Sequence, residues 1–357
     1  MLLEENKPLA PFTTFGIGGP ARWYVQATRE DEIVEAVEWA GKQRVPLFVL
    51  GGGSNLLIND AGFPGLILHI ALRGITAADE GKHRLYRAAA GEDWDRFVQH
   101  TVEDNCAGIE CLAGIPGTVG GTPVQNVGAY GQEVASSIAH VHAFDTLAKA
   151  FVDFTAADCG FAYRRSRFNT ADRGRYIVTR VDYRLSRDGA PTLRYADLQR
   201  AFPADIAASL AQVAAEVRRI RQAKGMLLVE GDPDCRSAGS FFKNPIVTAE
   251  QCAHVASLSG KEPPRFPAGV DAEDATHSKI PAAWLIEQSG ISKGFTLGAA
   301  AVSSRHTLAL INRGSATAAD ILALAGHIAT TVHQRFGIHL DREPVLVGFD
   351  PPLQTTR

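Results

Sequence analysis

The chain contains three short clusters of glycine, which begin at Gly16, Gly51 and Gly114. Glycine permits positive φ angles and close backbone approach, so successive N–H groups in such a loop can surround a phosphate. Apolar stretches typical of buried strands lie near these clusters, and amphipathic segments typical of helices also occur. We therefore expect a fold of mixed helices and strands whose glycine loops bind a polar ligand.

None of the clusters matches a common nucleotide-binding motif in the required context. Residues 16–21 formally fit G-x-G-x-x-A, but Pro20 and the β-prone residues 23–25 exclude the helix that a Rossmann turn must open. The second cluster has Leu56 where the third glycine should be, and no P-loop motif occurs. The sequence therefore predicts a cradle of a different kind.

The richest of these regions covers residues 113–131. Its glycines are interspersed with Thr118, Gln125 and Asn126, whose side chains all form hydrogen bonds. A series of tight turns would explain the glycines alone but not these polar side chains. We interpret the region as a cofactor cradle.

Length and charge limit the classes of function. At 357 residues the chain should form two or three domains, since a domain has roughly 150 residues. Lys and Arg total 36 against 39 Asp and Glu, which argues against nucleic-acid or membrane partners. The first residues do not have the pattern of a signal peptide, and we expect a cytoplasmic protein.

Cysteine and histidine usage gives no indication of a metal centre. The five cysteines form no C-x-x-C pair, and an odd number argues against a disulfide framework. His140 and His142 would share one face of a strand, but no third ligand is recognisable near them. We expect reduced thiols and no bound metal.

Several segments carry helix signals. Thr28 with Asp31, and Thr317 with Asp320, form capping boxes, and Gly337 is placed to end the second helix. Residues 204–223 are predicted to form an amphipathic helix. The basic residues at its C-terminal end would interact favourably with the helix dipole. The alternative is that these charges bind a phosphate group. Residues 257–278 are predicted to be a long surface loop.

The segment from Ser237 to Pro245 combines a hydroxyl, an ammonium and an amide on a loop that contains glycine. Taken alone, Ser240 is more typical of a loop cap. Arg164 could be one of several surface arginines, and Glu343 a solvated residue at the start of a strand. The residues themselves leave these alternatives open.

Taken together, the motifs resemble those of the UDP-N-acetylenolpyruvoylglucosamine reductase family, in the form with a tyrosine-bearing substrate loop. The likeness extends from about Phe12 to Gly348. The motifs that carry it are residues 51–57, 114–117, 125–131, 163–166, 193–198, 239–245 and 343–345.

The resemblance implies an α+β fold of the vanillyl-alcohol-oxidase type, with two FAD-binding subdomains and a C-terminal substrate-binding domain. We expect the first subdomain over residues 1–75, joined by residues 338–357, the second over 76–203 and the substrate domain over 204–337. FAD should be bound noncovalently, because the loop at Ser54 lacks the histidine that some relatives of the fold use for attachment.

The implied reaction is reduction of UDP-N-acetylglucosamine enolpyruvate to UDP-N-acetylmuramate with NADPH, by ping-pong kinetics, in peptidoglycan synthesis. No obligate protein partner is evident. By the same resemblance, Arg164, Ser240 and Glu343 are catalytic and should meet around one flavin, with Ser240 the proton donor. The residues implied to bind FAD are Gly51, Gly52, Gly53, Ser54, Asn55, Gly114, Ile115, Pro116, Gly117, Thr118, Gly120, Gln125, Asn126, Gly128, Ala129 and Tyr130; those implied to bind substrate are Tyr163, Tyr195, Lys224, Lys243 and Asn244.

Two alternatives remain at this point. One is another FAD-dependent oxidoreductase of the same fold, acting on sugars or alcohols. The other is a nucleotide-sugar-binding protein without catalysis. The joint presence of Arg164, Ser240 and Glu343 argues against the binding protein. NADPH consumption that depends on the enolpyruvyl nucleotide would separate the reductase from the other oxidoreductase.

Overall fold

The computed structural model of the protein describes residues 1–203, 205–268 and 276–349. Its chain forms two compact units with separate hydrophobic cores. The first unit comprises Met1–Lys7, Ala21–Gly53 and Pro64–Gln222, and the second Pro8–Pro20, Ser54–Phe63 and Ala223–Arg357.

The helices, in chain order, are α1 (Glu30–Gln43), α2 (Trp94–Glu103), α3 (Ala196–Ala201), α4 (Leu210–Ala223), α5 (Ala249–Ser259), α6 (Ala282–Gln288) and α7 (Ala318–Phe336). The strands are β1 (Leu3–Pro8), β2 (Pro20–Ala27), β3 (Leu47–Leu50), β4 (Leu56–Ile58), β5 (Phe63–Ile70), β6 (Ile75–Glu80), β7 (His83–Ala89), β8 (Cys106–Ala107), β9 (Gly128–Ala129), β10 (Gln132–Glu133), β11 (Ile138–Asp145), β12 (Ala150–Thr155), β13 (Tyr176–Arg187), β14 (Ile246–Thr248), β15 (Phe266–Pro267), β16 (His277–Lys279), β17 (Thr296–Leu297), β18 (Ala300–Val302), β19 (Leu310–Asn312) and β20 (Val345–Val347).

The first unit contains a four-stranded sheet in the order β1-β2-β5-β3 and a larger antiparallel sheet in the order β12-β11-β13-β7-β6, with β8 also paired to β13. Strand β13 is central, and its Val181 lies opposite Val141 on one side and Ala88 on the other. Because all three of these side chains are buried, the register is set by the core.

The second unit is built around α7, whose buried residues Ile321, Leu324, Ile328 and Val332 recur at helical spacing. It also contains two three-stranded sheets, β14-β16-β15 and β17-β18-β19, and the parallel pair of β4 with β20. This pair joins the end of the described chain to a strand that follows the second glycine cluster.

Helix α7 confirms its predicted ends. Asp320 N donates to Thr317 Oγ1 at 3.1 Å, and Thr317 N donates to the Asp320 carboxylate at 2.9 Å. Gly337 ends the helix in the left-handed conformation with φ 67°. Such a cap contributes about 1 kcal/mol to helix stability.

Helix α1 was predicted with the wrong cap. Thr28 N and Arg29 N both donate to the carboxylate of Glu32, not Asp31, and the first helical residue is Glu30. Asp31 instead pairs with the side chain of Arg29. The sequence pattern pointed to Asp31 because Thr28 stands three residues before it, but the N-cap is Arg29, so Glu32 is the third helical residue.

The predicted helix over residues 204–223 begins at Leu210, so its first turns were wrong; residue 204 lies outside the described part of the chain. Pro203 accepts a turn hydrogen bond from Ile206 N, and the Ile206 side chain is exposed. The predicted loop over 257–278 is also interrupted by structure. Helix α5 extends to Ser259 and β15 pairs with β16, while residues 269–275 lie outside the description.

Within the described ranges, no helix combines the length and apolar character needed to cross a membrane.

Candidate functional site

Two of the glycine clusters are adjacent in the first unit, although about 65 residues separate them in sequence. A Cβ atom on Gly52 would lie 2.5 Å from Gly117 Cα, and one on Gly51 would lie 2.9 Å from Thr118 Oγ1. Real Cβ atoms do not approach backbone this closely. Glycine at position 52 therefore allows the two loops to pack together, and both loops belong to the predicted cofactor cradle.

The rest of the predicted cradle is a chain of irregular backbone. Gly114, Gly117 and Gly131 have φ angles of 73°, 137° and 86°, and Asn126 and Tyr130 also have positive φ. Non-glycine residues adopt this conformation only when the surrounding structure holds them there. The region places its backbone N–H and C=O groups in directions that regular structure would not allow.

Asn126 shows how this backbone is held. It is 1% exposed, and its Nδ2 donates to Glu133 Oε2 at 2.7 Å and to Ala162 O at 3.1 Å. Its Oδ1 accepts from Ala135 N at 3.1 Å. The amide thus ties the predicted FAD region to the turn that carries Arg164.

Arg164 lies in a tight turn closed by two hydrogen bonds of 3.0 Å between Ala162 and Arg165. Its φ is 54°, and its guanidinium donates to the Gly128 carbonyl at 3.0 Å. The guanidinium also lies 5.3 Å from the centre of the Tyr163 ring. Two predicted site residues, Tyr163 and Arg164, therefore lie beside the predicted cofactor residue Gly128, and all three belong to the first unit.

Ser240 and Glu343 are brought together in the second unit. Glu343 N donates to Phe241 O at 2.9 Å, and Ser240 forms a bridge with Ala309 on the other side. The flanking Phe241 is fully buried and anchors this arrangement. The predicted proton donor and the predicted acid thus lie on neighbouring, hydrogen-bonded segments.

The loop-capping role that sequence favours for Ser240 belongs to another serine. Ser237 Oγ accepts from Gly239 N at 3.2 Å, which closes the turn before Ser240. Gly239 has φ 70°, as such a turn requires. Ser240 itself is half-buried.

Asn55, from the second glycine cluster, contacts the same part of the second unit. Its Nδ2 donates to Glu343 O at 3.3 Å, and its backbone O accepts from Val345 N at 2.9 Å. The carbonyl of Ser54 accepts from Thr14 Oγ1 at 3.4 Å, and the same hydroxyl donates to Ser237 O at 2.6 Å. A predicted FAD residue is therefore adjacent to a predicted catalytic one.

The predicted substrate residues are distributed over both units. Lys243 N donates to Asp341 O at 2.9 Å, and Asn244 Oδ1 accepts from Ala282 N at 3.0 Å at the start of α6. In the first unit, Tyr195 precedes α3, and its ring lies edge-on to Tyr130 at 5.2 Å. Lys224 belongs to the second unit, which includes the chain from Ala223 onward.

Lys224 belongs to a cationic cluster that the sequence did not reveal. Gly225 lies against Ser303, and Gly294 N donates to Ser303 O at 3.1 Å, so Lys224 and Lys293 flank one segment. Burial, reinforced by these two lysines, lowers the pKa of His306 to about 4. Leu308 N donates to His306 Nδ1 at 3.2 Å, which requires that nitrogen to be unprotonated.

Replacement of His306 by Gln should change the acid sensitivity of the second unit. The pKa of His306 is near 6.5 in the unfolded chain and lower in the folded chain. The stability that the folded state gains from neutral His306 is therefore complete above about pH 6.5 and is lost as the pH falls toward 4. When the pH falls from 7 to 4.5, the free energy of unfolding should decrease in both proteins. The decrease should be smaller in the variant than in the parent, by on the order of 2 kcal/mol. Urea unfolding measures this. The control is His254→Gln on the exposed surface; equal pH dependence in parent and His306→Gln would contradict the assignment.

Sequence reasoning also missed Asp95 and Arg221. Asp95 Oδ1 accepts from Gly114 N at 2.5 Å, and Arg221 Nε donates to Gly114 O at 2.9 Å. The basic end of α4 thus binds a loop, where the sequence suggested a helix dipole or a phosphate. The Arg-x-x-Arg spacing of Arg218 and Arg221 was the available signal, since it places both on one helix face.

His142 is held by carboxylates on neighbouring strands. His142 pairs with Asp153 and, at 3.2 Å, with Asp182, while the described part of the chain contains no group of three or more potential ligands. All five cysteines are buried free thiols.

Comparison with known families defines the class of protein. Residues 21–149 match the model of an FAD binding domain, and residues 232–347 match the C-terminal domain of UDP-N-acetylenolpyruvoylglucosamine reductase. These matches define a flavoprotein oxidoreductase that binds FAD.

Individual relatives extend the match to nearly the whole chain. A UDP-N-acetylenolpyruvoylglucosamine reductase of Streptomyces coelicolor is 48% identical, covering 96% of this chain and 90% of its own. The reductase of Streptomyces avermitilis is 47% identical over 97% of this chain and 95% of its own. The crystal structure of the Thermus caldophilus reductase is 27% identical, with TM-score 0.67, over 97% of this chain and all of its own. The chain belongs to the UDP-N-acetylenolpyruvoylglucosamine reductase family.

Proposed function

We propose that the chain reduces UDP-N-acetylglucosamine enolpyruvate to UDP-N-acetylmuramate with NADPH and FAD. Family membership over almost the full length supports this, and the single structural observation behind it is the placement of Ser240 and Glu343 on adjacent segments, which are joined by the hydrogen bond from Glu343 N to Phe241 O. FAD, when bound, accepts hydride from NADPH and supplies it to the substrate. The protein's own residues must bind the enolpyruvyl group, stabilise the negative charge that develops on it and deliver a proton.

Ser240 is proposed to deliver the proton. Hydride addition at the terminal carbon leaves negative charge on the carbon that bears the carboxylate, and that carbanion is basic enough to accept a proton from a hydroxyl. The turn closed by Ser237 and Gly239 holds Ser240 in position, and the neighbouring Phe241 is immobilised in the core. Pre-positioning of this kind is what proton transfer requires.

Arg164 is proposed to bind the substrate carboxylate. A guanidinium remains charged and can contact both carboxylate oxygens, so it stabilises the enolate-like charge as it develops. The left-handed turn at Arg164 is locally unfavourable, and its two backbone hydrogen bonds offset that cost. A strained backbone of this kind is common where a side chain must be aimed.

Glu343 is proposed to polarise the enolpyruvyl group together with Arg164. Its backbone is fixed at both ends, by Phe241 through the N–H and by Asn55 through the carbonyl. These two contacts hold the backbone of Glu343 in place, and the carboxyl group is the part of the residue that we assign to the substrate.

The remaining site assignments follow the same proposal. Tyr163, Tyr195, Lys224, Lys243 and Asn244 bind the nucleotide sugar, Lys224 at the diphosphate. The glycine-loop residues bind FAD noncovalently, with Asn126 acting through the backbone that it holds. The domain boundaries predicted from sequence, at residues 75/76 and 203/204, remain a proposal about the functional domains, while the two compact units divide between Gln222 and Ala223.

The reaction supplies a peptidoglycan precursor, so we also place the protein in cell-wall biogenesis and hence in cell shape and division. NADPH and nucleotide sugars are cytoplasmic metabolites, which supports a cytoplasmic location.

Steady NADPH oxidation that depends on the enolpyruvyl nucleotide tests the proposal. We expect turnover only when that nucleotide is present, and little or none with simple alcohols or sugars. Turnover on alcohols without the nucleotide would instead support an oxidoreductase of the same fold, and nucleotide binding without NADPH consumption would support a binding protein.

A further inference from the structure

Both backbone groups of Gly114 are bound by charged side chains from two helices. Its N–H donates to Asp95 of α2 at 2.5 Å, and its carbonyl accepts from Arg221 of α4 at 2.9 Å. Asp95 in turn pairs with Arg218, one turn before Arg221. We call Asp95, Arg218 and Arg221 the Gly114 clamp.

Arg221 is the buried member of the clamp, while the side chains of Asp95 and Arg218 are 23% and 36% exposed. Arg221 is 8% exposed, and burial lowers its pKa, although a guanidinium stays protonated at any physiological pH. The second oxygen of Asp95 also accepts from Gln99 at 3.2 Å. Hydrogen bonds that involve an ionised partner are stronger than neutral ones, so rotation of the Gly114 peptide must break strong contacts.

The clamp also reaches the tyrosine pair. Arg221 shares a side-chain hydrogen bond with Tyr130, whose ring packs edge-on against Tyr195. Next to this pair, a Cβ on Gly131 would lie 3.0 Å from Arg194 Cβ, so Gly131 lets the Tyr195 segment approach. The buried guanidinium of Arg221 therefore contacts both Gly114 and Tyr130, and Tyr130 packs against Tyr195.

We propose that Asp95 and Arg221 are positioning residues, which set the Gly114 peptide so that residues 114–118 are preorganised for FAD in the free protein. The inference rests on the proposed assignment of that loop to FAD. Preorganisation raises affinity because the loop does not have to be ordered on binding. Arg218 acts by orienting Asp95.

The test is FAD titration of the apoprotein, together with amide hydrogen exchange of the peptide that contains Gly114. Asp95→Ala should weaken FAD binding about 10- to 100-fold, the loss expected for one charged hydrogen bond, and speed exchange at Gly114. Asp95→Asn keeps an acceptor for Gly114 N, so it should restore most of the affinity. Arg219→Ala is the control, because Arg219 neighbours Arg218 on α4 but pairs with Glu216 on the exposed side.

Unchanged FAD affinity in Asp95→Ala, or an equal loss in Arg219→Ala, would overturn the clamp. If Asp95→Ala does not fold, Arg218→Ala is tested in its place, and a smaller loss of FAD affinity is expected. An Arg218→Ala protein with unchanged FAD affinity would then overturn the proposal. Gly117→Ala separates this inference from the assignment of the loop, since Gly117 has φ 137° and alanine would distort the loop directly. If Gly117→Ala leaves FAD binding unchanged, the loop assignment fails; if it weakens binding while Asp95→Ala does not, only the clamp fails.

Discussion

Replacement of Ser240 by Ala should lower kcat by about 100- to 10,000-fold, the contribution expected of a positioned general acid. The variant should still consume one equivalent of NADPH per protein, because that step needs no proton from Ser240, and should then stop. Rapid mixing with excess enolpyruvyl nucleotide would show a single burst of NADPH oxidation. FAD affinity should stay close to that of the parent.

Ser237→Ala is the matched control, since Ser237 lies in the same loop but its hydroxyl accepts from Gly239 N. It should cost some stability and retain the second half of the reaction. Multiple turnovers at the parent rate in Ser240→Ala would remove this serine from the chemistry and leave it a structural role.

Replacement of Gly52 by Ala should weaken FAD binding about tenfold or more. The new Cβ would meet Gly117 Cα at 2.5 Å and Gly117 C at 2.8 Å, and backbone cannot move aside as a flexible side chain can. Overpacking of this kind costs about 1–3 kcal/mol, and here the cost falls on the cradle that two glycine loops share. The FAD dissociation constant of the apoprotein measures the effect.

Gly41→Ala provides the comparison at a glycine with open space. Gly41 lies in α1, and a Cβ there would meet nothing within 4 Å. Alanine should stabilise this helix by about 0.5–1 kcal/mol and leave FAD binding unchanged. If Gly52→Ala binds FAD as tightly as Gly41→Ala, the two loops do not form the cofactor cradle.

Local signals in the sequence predicted local structure well. The box at Thr317 and Asp320 identified both the start and the phase of α7, because the two residues cap the same turn. The β-prone residues after Pro20 correctly excluded a Rossmann turn, since β2 runs from Pro20 to Ala27. The start of α4 was wrong because Ile206 continues the apolar spacing although a turn at Pro203 precedes the helix.

Contacts between distant segments could not be predicted in this way. The approach of Gly52 to Gly117, and the binding of Gly114 by Arg221 more than 100 residues away, depend on how the unit packs. Nothing near Ser240 in sequence distinguishes it from Ser237, whose hydroxyl caps the turn. Only the resemblance to a family assigned the catalytic role to Ser240, and that role stays a prediction.

Product analysis tests the central claim most directly. Purified protein should be supplied with NADPH and UDP-N-acetylglucosamine enolpyruvate, and the nucleotide products quantified against NADPH consumed. The account predicts one UDP-N-acetylmuramate formed for each NADPH oxidised, with FAD as the flavin released on denaturation. NADPH oxidation without UDP-N-acetylmuramate, or a protein that neither contains nor binds FAD, would contradict it.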